Sequence, residues 1–144
     1  MRRFVELAEG VVGSVLERKH WHVMKEPDCR HLSQKPDLLA KSPLGIYYMF
    51  EITGGRTPGT ATFTDLAQTK AFARAVTEEM KVGQVVPVLV TNYSISDELS
   101  SLSRSLGVRL IGVNDKAHDR WQSFLERWAD EPDTEIAIQT DLAG

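Results

Sequence analysis

The sequence predicts an α/β domain with a mixed central β-sheet flanked by helices. Three observations carry this prediction. The chain opens on an amphipathic helical repeat, and it contains one long aromatic and β-branched run, Gly45–Thr53 (GIYYMFEIT). Its later half holds two apolar strands, VVPVLVTN and VRLIGV, separated by a capped helix. A strand–helix–strand unit of that kind is the mark of a parallel pair.

In chain order, Phe4, Leu7, Ala8, Val11, Val12, Val15 and Leu16 follow the i, i+3, i+4 spacing of one buried helix face over Arg3–His20. Gly10 and Gly13 weaken that helix by up to ~1 kcal/mol each, and their small size lets another element come close. Trp21–Lys25 reads as a first strand ended by Pro27-Asp28, and Lys35–Ala40 as a short second strand around Asp37. Ser42-Pro43-Leu44-Gly45 is a turn into the third strand, Gly45–Thr53, whose composition predicts that both of its faces are covered. After the glycine-rich loop GGRTPGTATF, Thr64 is the expected cap of a helix running to about Met80. The strand Val85–Asn92 contains Pro87, which requires an early or edge position. Ser96 caps a helix over Asp97–Leu106 that Gly107 closes, and Val108–Val113 is the last strand. A final helix over Lys116–Trp128 carries Trp121, Phe124, Leu125 and Trp128 at helical spacing, a packing face within the chain or of a dimer. The length of 144 residues suits one domain, read as residues 1–129 followed by an acidic tail over 130–144 with a short β-like patch at Glu135–Gln139.

Bulk properties narrow the function only a little. A formal net charge of -3 does not announce a polyanion partner, although a local basic patch is compatible with it. The single cysteine, Cys29, excludes an intrachain disulfide and a multi-cysteine zinc site, and it suits a reducing, cytoplasmic setting. No apolar run approaches the ~18 residues of a membrane span.

The chemistry concentrates between Gln34 and Gly55. Asp37 follows Pro36, and Glu51 sits inside the most apolar strand, where an unpartnered carboxylate is costly and calls for a partner or a metal. Two strands joined by a short turn bring these acids together, and hard divalent cations prefer such oxygen ligands. Taken singly, Asp37 also reads as a turn residue, and Glu9 and Gln68 as solvated helix residues.

With Pro36-Asp37 and Glu51-Ile52-Thr53 on successive strands, the order helix, three strands, helix, strand resembles the PD-(D/E)XK nuclease superfamily over residues 3–113. The feel is nearest to its Mrr-like and resolvase-like members. Glu9 matches a glutamate that some members carry on the first helix, and Gln68, in DLAQTKAFARA, matches a glutamine common after the third strand. The resemblance implies a restriction-endonuclease-like fold in which Asp37 and Glu51, assisted by Glu9, hold Mg2+ or Mn2+ for cleavage of DNA phosphodiester bonds. It also implies a homodimer, each site cutting one strand. The chain departs from the motif at one place: Thr53 stands where the family has lysine, and a hydroxyl carries no charge. Lys35, Lys70 and Arg56 are the candidate replacements. Three readings stay open: an active nuclease, a catalytically degenerate module that binds nucleic acid or a protein partner, and an α/β effector-binding domain in which the two acids are incidental.

Overall fold

The computed structural model describes residues 2–24, 32, 34–55, 59–113 and 118–132. The element order is α1 (Arg2–Arg18), β1 (His22–Met24), β2 (Leu38–Lys41), β3 (Tyr47–Thr53), α2 (Phe63–Met80), β4 (Val85–Thr91), α3 (Asp97–Leu106), β5 (Arg109–Gly112) and α4 (His118–Asp130). The five strands form one mixed sheet in the order β1-β2-β3-β4-β5. β1, β2 and β3 pair antiparallel, whereas β3, β4 and β5 pair parallel. The chain is therefore an α/β protein with a central mixed sheet flanked by helices, four of them among the described residues, as its sequence predicts.

Side-chain alternation along the strands divides the core into two faces. Tyr48, Phe50 and Ile52 join Val86, Val88, Val90 and Ile111 beneath α1 and α4. Met49, on the opposite face of β3, packs with Leu39, Val85, Ala73 and Val76 beneath α2, while Leu89 and Leu110 pack beneath α2 and α3. Glu51 and Thr53 share Met49's parity, so the sequence itself directs them toward α2.

Aromatic side chains knit α4 to the sheet. Trp128 stacks on Trp21 at 5.8 Å and meets Tyr48 and Phe50 edge-on at 5.7 Å each. The Trp21 indole N–H donates to the Ala129 carbonyl at 3.3 Å. Trp121 and Trp128 are both buried within their own chain, which removes them as an exposed dimer face.

Several boundaries differ from expectation for identifiable reasons. β2 begins at Leu38, so Asp37 and Lys35 precede the strand and the alternation that would align them on one face does not apply. The α2 cap is Thr62 rather than Thr64: its hydroxyl accepts from the Asp65 N–H while the Asp65 carboxylate accepts from the Thr62 N–H. That reciprocal pair needs an acid at the third helical position, which only Thr62 has. Pro87 is tolerated in the buried strand β4 because β5 pairing starts one residue later, at Val88. Gly13 lies under β2, with the Leu38 side chain 4.0 Å from where a Cβ would be, whereas Gly10 faces open space. Cys29, Arg56 and the tail from 133 onward lie outside the described residues.

Candidate active site

β3 and the segment before β2 position the two acids. Ladder pairing between β2 and β3 ends at Leu38↔Phe50, leaving the next backbone donor on that side, the Ile52 N–H, without a strand partner. Asp37 supplies one: its Oδ2 accepts from the Ile52 N–H at 2.8 Å. In return, the Asp37 N–H donates to Glu51 Oε2 at 3.0 Å. The Glu51 carboxylate thus satisfies the Asp37 N–H and the Asp37 carboxylate satisfies the N–H of Ile52, the residue after Glu51, so both acids are fixed by main chain rather than by flexible side-chain contacts.

Two grooves adjoin this contact. One, of about 500 Å³, runs between the C-terminal half of β3 and α2; Glu51, Thr53, Gln34, Asp65, Gln68 and Phe72 are among its lining residues. The other, of about 550 Å³, lies between α1 and the segment before β2, and Glu9, Lys35 and Asp37 line it together with Glu6 and Glu17. The sequence-derived candidates therefore divide: Glu51, Thr53 and Gln68 share one groove, Glu9, Lys35 and Asp37 the other, and the Asp37–Glu51 hydrogen bond joins the two sets. Lys70 is exposed on α2 and lines neither. Among the described residues of the Glu51 groove there is no lysine or arginine.

Burial pushes the Glu51 carboxyl up from 4.5 to about 7. The nearby charges of Asp37 and Glu9 add to that rise, and the hydrogen bond from the Asp37 N–H opposes it. Glu9 thus acts on Glu51 through its charge. Among the described residues no group of three or more His, Cys, Asp or Glu side chains is placed to hold a metal ion, so the three acids do not form a closed cage. The donor chemistry nevertheless fits magnesium or manganese. The donors are all oxygen, they are mutually repelling, and two carboxylates are the number Mg2+ commonly takes when water and phosphate complete its shell.

Some site features were not singled out from sequence. Asp65, Thr69 and Phe72 recur at helical spacing with Gln68, itself a sequence-derived candidate, and the four form one wall of the groove. That signal was present in the sequence. Asn92 gave none: its side chain accepts from the Gly55 N–H at 3.1 Å and donates to the Gly55 carbonyl at 2.9 Å, across 37 positions. This two-point bond pins the chain just beyond Thr53.

No protein-family model matches the chain, and no curated protein is similar to it in sequence. A solved structure, that of AF1548, a protein of unknown function, superposes with a TM-score of 0.60 at 21% sequence identity. The match covers 75% of this chain and 58% of AF1548, so this chain spans little more than half of that protein. The likeness establishes the fold. Among the described residues, no helix is long and apolar enough to cross a membrane.

Proposed function

We propose that this chain is a metal-dependent, endonuclease-like protein of the PD-(D/E)XK type that hydrolyses DNA phosphodiester bonds. The observation that carries the reading is the pair of hydrogen bonds, Asp37 N–H to Glu51 and Ile52 N–H to Asp37, which anchors two neighbouring carboxylates beside open grooves. The three antiparallel strands followed by a parallel fourth, with a helix before and after β3's hairpin, support the family resemblance.

Asp37 and Glu51 would hold Mg2+ or Mn2+. Bound there, the cation would activate water and stabilise the charge of the attacked phosphate. Glu9 adds negative charge that draws a cation toward the pair. Gln68 offers an amide that can both donate and accept beside the site, and Thr53 donates a hydrogen bond without charge. Lys35, in the groove with Asp37, is the described cation nearest in role to the missing lysine. DNA as substrate, a homodimer and a cytoplasmic setting belong to the same proposal.

The absence of lysine and arginine from the described lining of the Glu51 groove favours a second reading. In it, the fold keeps its acids and binds nucleic acid or a protein partner without cutting. One experiment separates the two: plasmid cleavage with magnesium or manganese, comparing wild type with Glu51→Ala. Metal-dependent nicking that Glu51→Ala abolishes supports the nuclease; equal background cutting by both sinks it. Titration calorimetry with manganese then tells whether a cation site persists without catalysis.

A further inference from the structure

The groove beside Glu51 has a chemistry that the two acids do not account for. Gln34 and Gln68 are exposed on its walls, Thr53 adds a hydroxyl, and Phe72 contributes a half-buried ring. The only charged groups among its described lining residues are Glu51 and Asp65, and the Asp65 carboxylate is engaged in the α2 capping box. A run of phosphates demands cationic partners, and this surface presents anionic and neutral ones. It is the wrong lining for a nucleic-acid backbone.

The same lining suits a base. Each glutamine amide both donates and accepts, as the edge of a nucleobase requires. An aromatic ring gives a face on which any base stacks. A volume of about 500 Å³ lies within the range of small-molecule sites. The chain also sets the order of the parts. Gln34 faces this groove while its neighbours Lys35 and Asp37 line the other, so a phosphate at the Asp37–Glu51 contact has its base on the glutamine side. We infer that the groove receives a single unstacked nucleobase beside the reacting phosphate. The substrate is then single-stranded or locally opened rather than an intact duplex, since a stacked base cannot enter. This inference deepens the nuclease reading and rests on it.

Side-chain amide NMR on the 15N-labelled chain, in EDTA, tests it with two probes, dAMP and 2-deoxyribose 5-phosphate. The expected result is that dAMP shifts the Gln34 and Gln68 NH2 signals and the sugar phosphate does not. Gln68→Ala, an exposed position whose unchanged backbone spectrum verifies folding, weakens dAMP binding roughly tenfold. Phe72→Leu, which keeps the apolar bulk but removes the ring, also weakens it. Equal shifts from both probes, no glutamine shift with dAMP, or unchanged affinity in Gln68→Ala each overturn the base pocket. A chain that shows the glutamine shifts yet cuts no DNA with magnesium or manganese keeps the base pocket and loses the hydrolysis reading. A chain that cuts DNA without those shifts loses the base pocket alone.

Discussion

One hydrogen bond joins Asp37 to Glu51, and a second ties Asp37 to Ile52, the residue that follows Glu51. The Asp37 N–H donates to Glu51 Oε2 at 3.0 Å, and Asp37 Oδ2 accepts from Ile52 N–H at 2.8 Å. The contact has a structural use, since it satisfies donors where the β2–β3 ladder stops. It also has an electrostatic cost, because it keeps two carboxylates close while Glu9 adds a third negative charge. The cost is greatest when no cation is bound, and that makes the pair testable through stability as well as through activity.

The Glu51 carboxyl is raised from 4.5 to about 7 in the folded chain, so the folded state holds the Glu51 proton more tightly than the unfolded state does. Stability from this group is fully present below about pH 4.5 and is lost as pH rises through about 7. Glu51→Gln keeps an acceptor for the Asp37 N–H and removes the titration. In EDTA it should match wild type near pH 4.5 and exceed it at pH 8 by about 3 kcal/mol. Urea denaturation at the two pH values measures this; a difference independent of pH would remove the electrostatic account of the pair.

Asp37 separates structural from metal-binding roles. Asp37→Ala deprives the part-buried Ile52 N–H of its acceptor and should destabilise the chain by about 1–3 kcal/mol. Asp37→Asn retains an acceptor and should cost less than half as much, yet it loses the charge. Both variants should lose manganese binding by calorimetry. Retained binding in Asp37→Asn would show that Asp37 has only the structural role.

The end of β3 permits no side chain at Gly54. A Cβ there would meet Asn92 Oδ1 and would lie 2.7 Å from the Phe4 ring. Gly54→Ala should therefore cost about 1–3 kcal/mol, measured by thermal or urea denaturation. Adding Asn92→Ala removes one of the two obstructions, so the double variant should be more stable than the sum of the single effects. Strict additivity would mean that Asn92 is not what excludes a side chain from Gly54.

Much of this arrangement is legible in the sequence because it depends on local rules. Ser96 and Gly107 mark both ends of α3, and the apolar content of β3 and β4 places them at the sheet centre. The boundary at Asp37 was not legible: a four-residue strand carries too little pattern to show whether the acid lies on it or just before it. Long-range contacts leave no local trace at all. The burial of Trp128 against Trp21 joins elements more than a hundred residues apart, and the hold of Asn92 on Gly55 is likewise non-local. Helical spacing identifies an apolar face but not what covers it.

Thr53 stands at the position where a positive charge would act on Glu51. It shares Glu51's face of β3 and lines the same groove, which holds no lysine or arginine among its described residues. Thr53→Lys should bring an ammonium beside Glu51, where the opposite charge lowers the carboxyl from about 7 toward its ordinary value. The same charge is available to a phosphate that gains negative charge during attack. If the missing lysine limits this site, magnesium-dependent plasmid nicking by Thr53→Lys should exceed wild type by about tenfold or more, an increase that Glu51→Ala in the same background abolishes. The Glu51 carboxyl signal in a 13C NMR titration reports the electrostatic half of the effect independently. A lowered Glu51 titration with no gain in nicking would mean that charge at position 53 is not what restrains the chemistry, and the non-cutting reading of the fold would then be preferred.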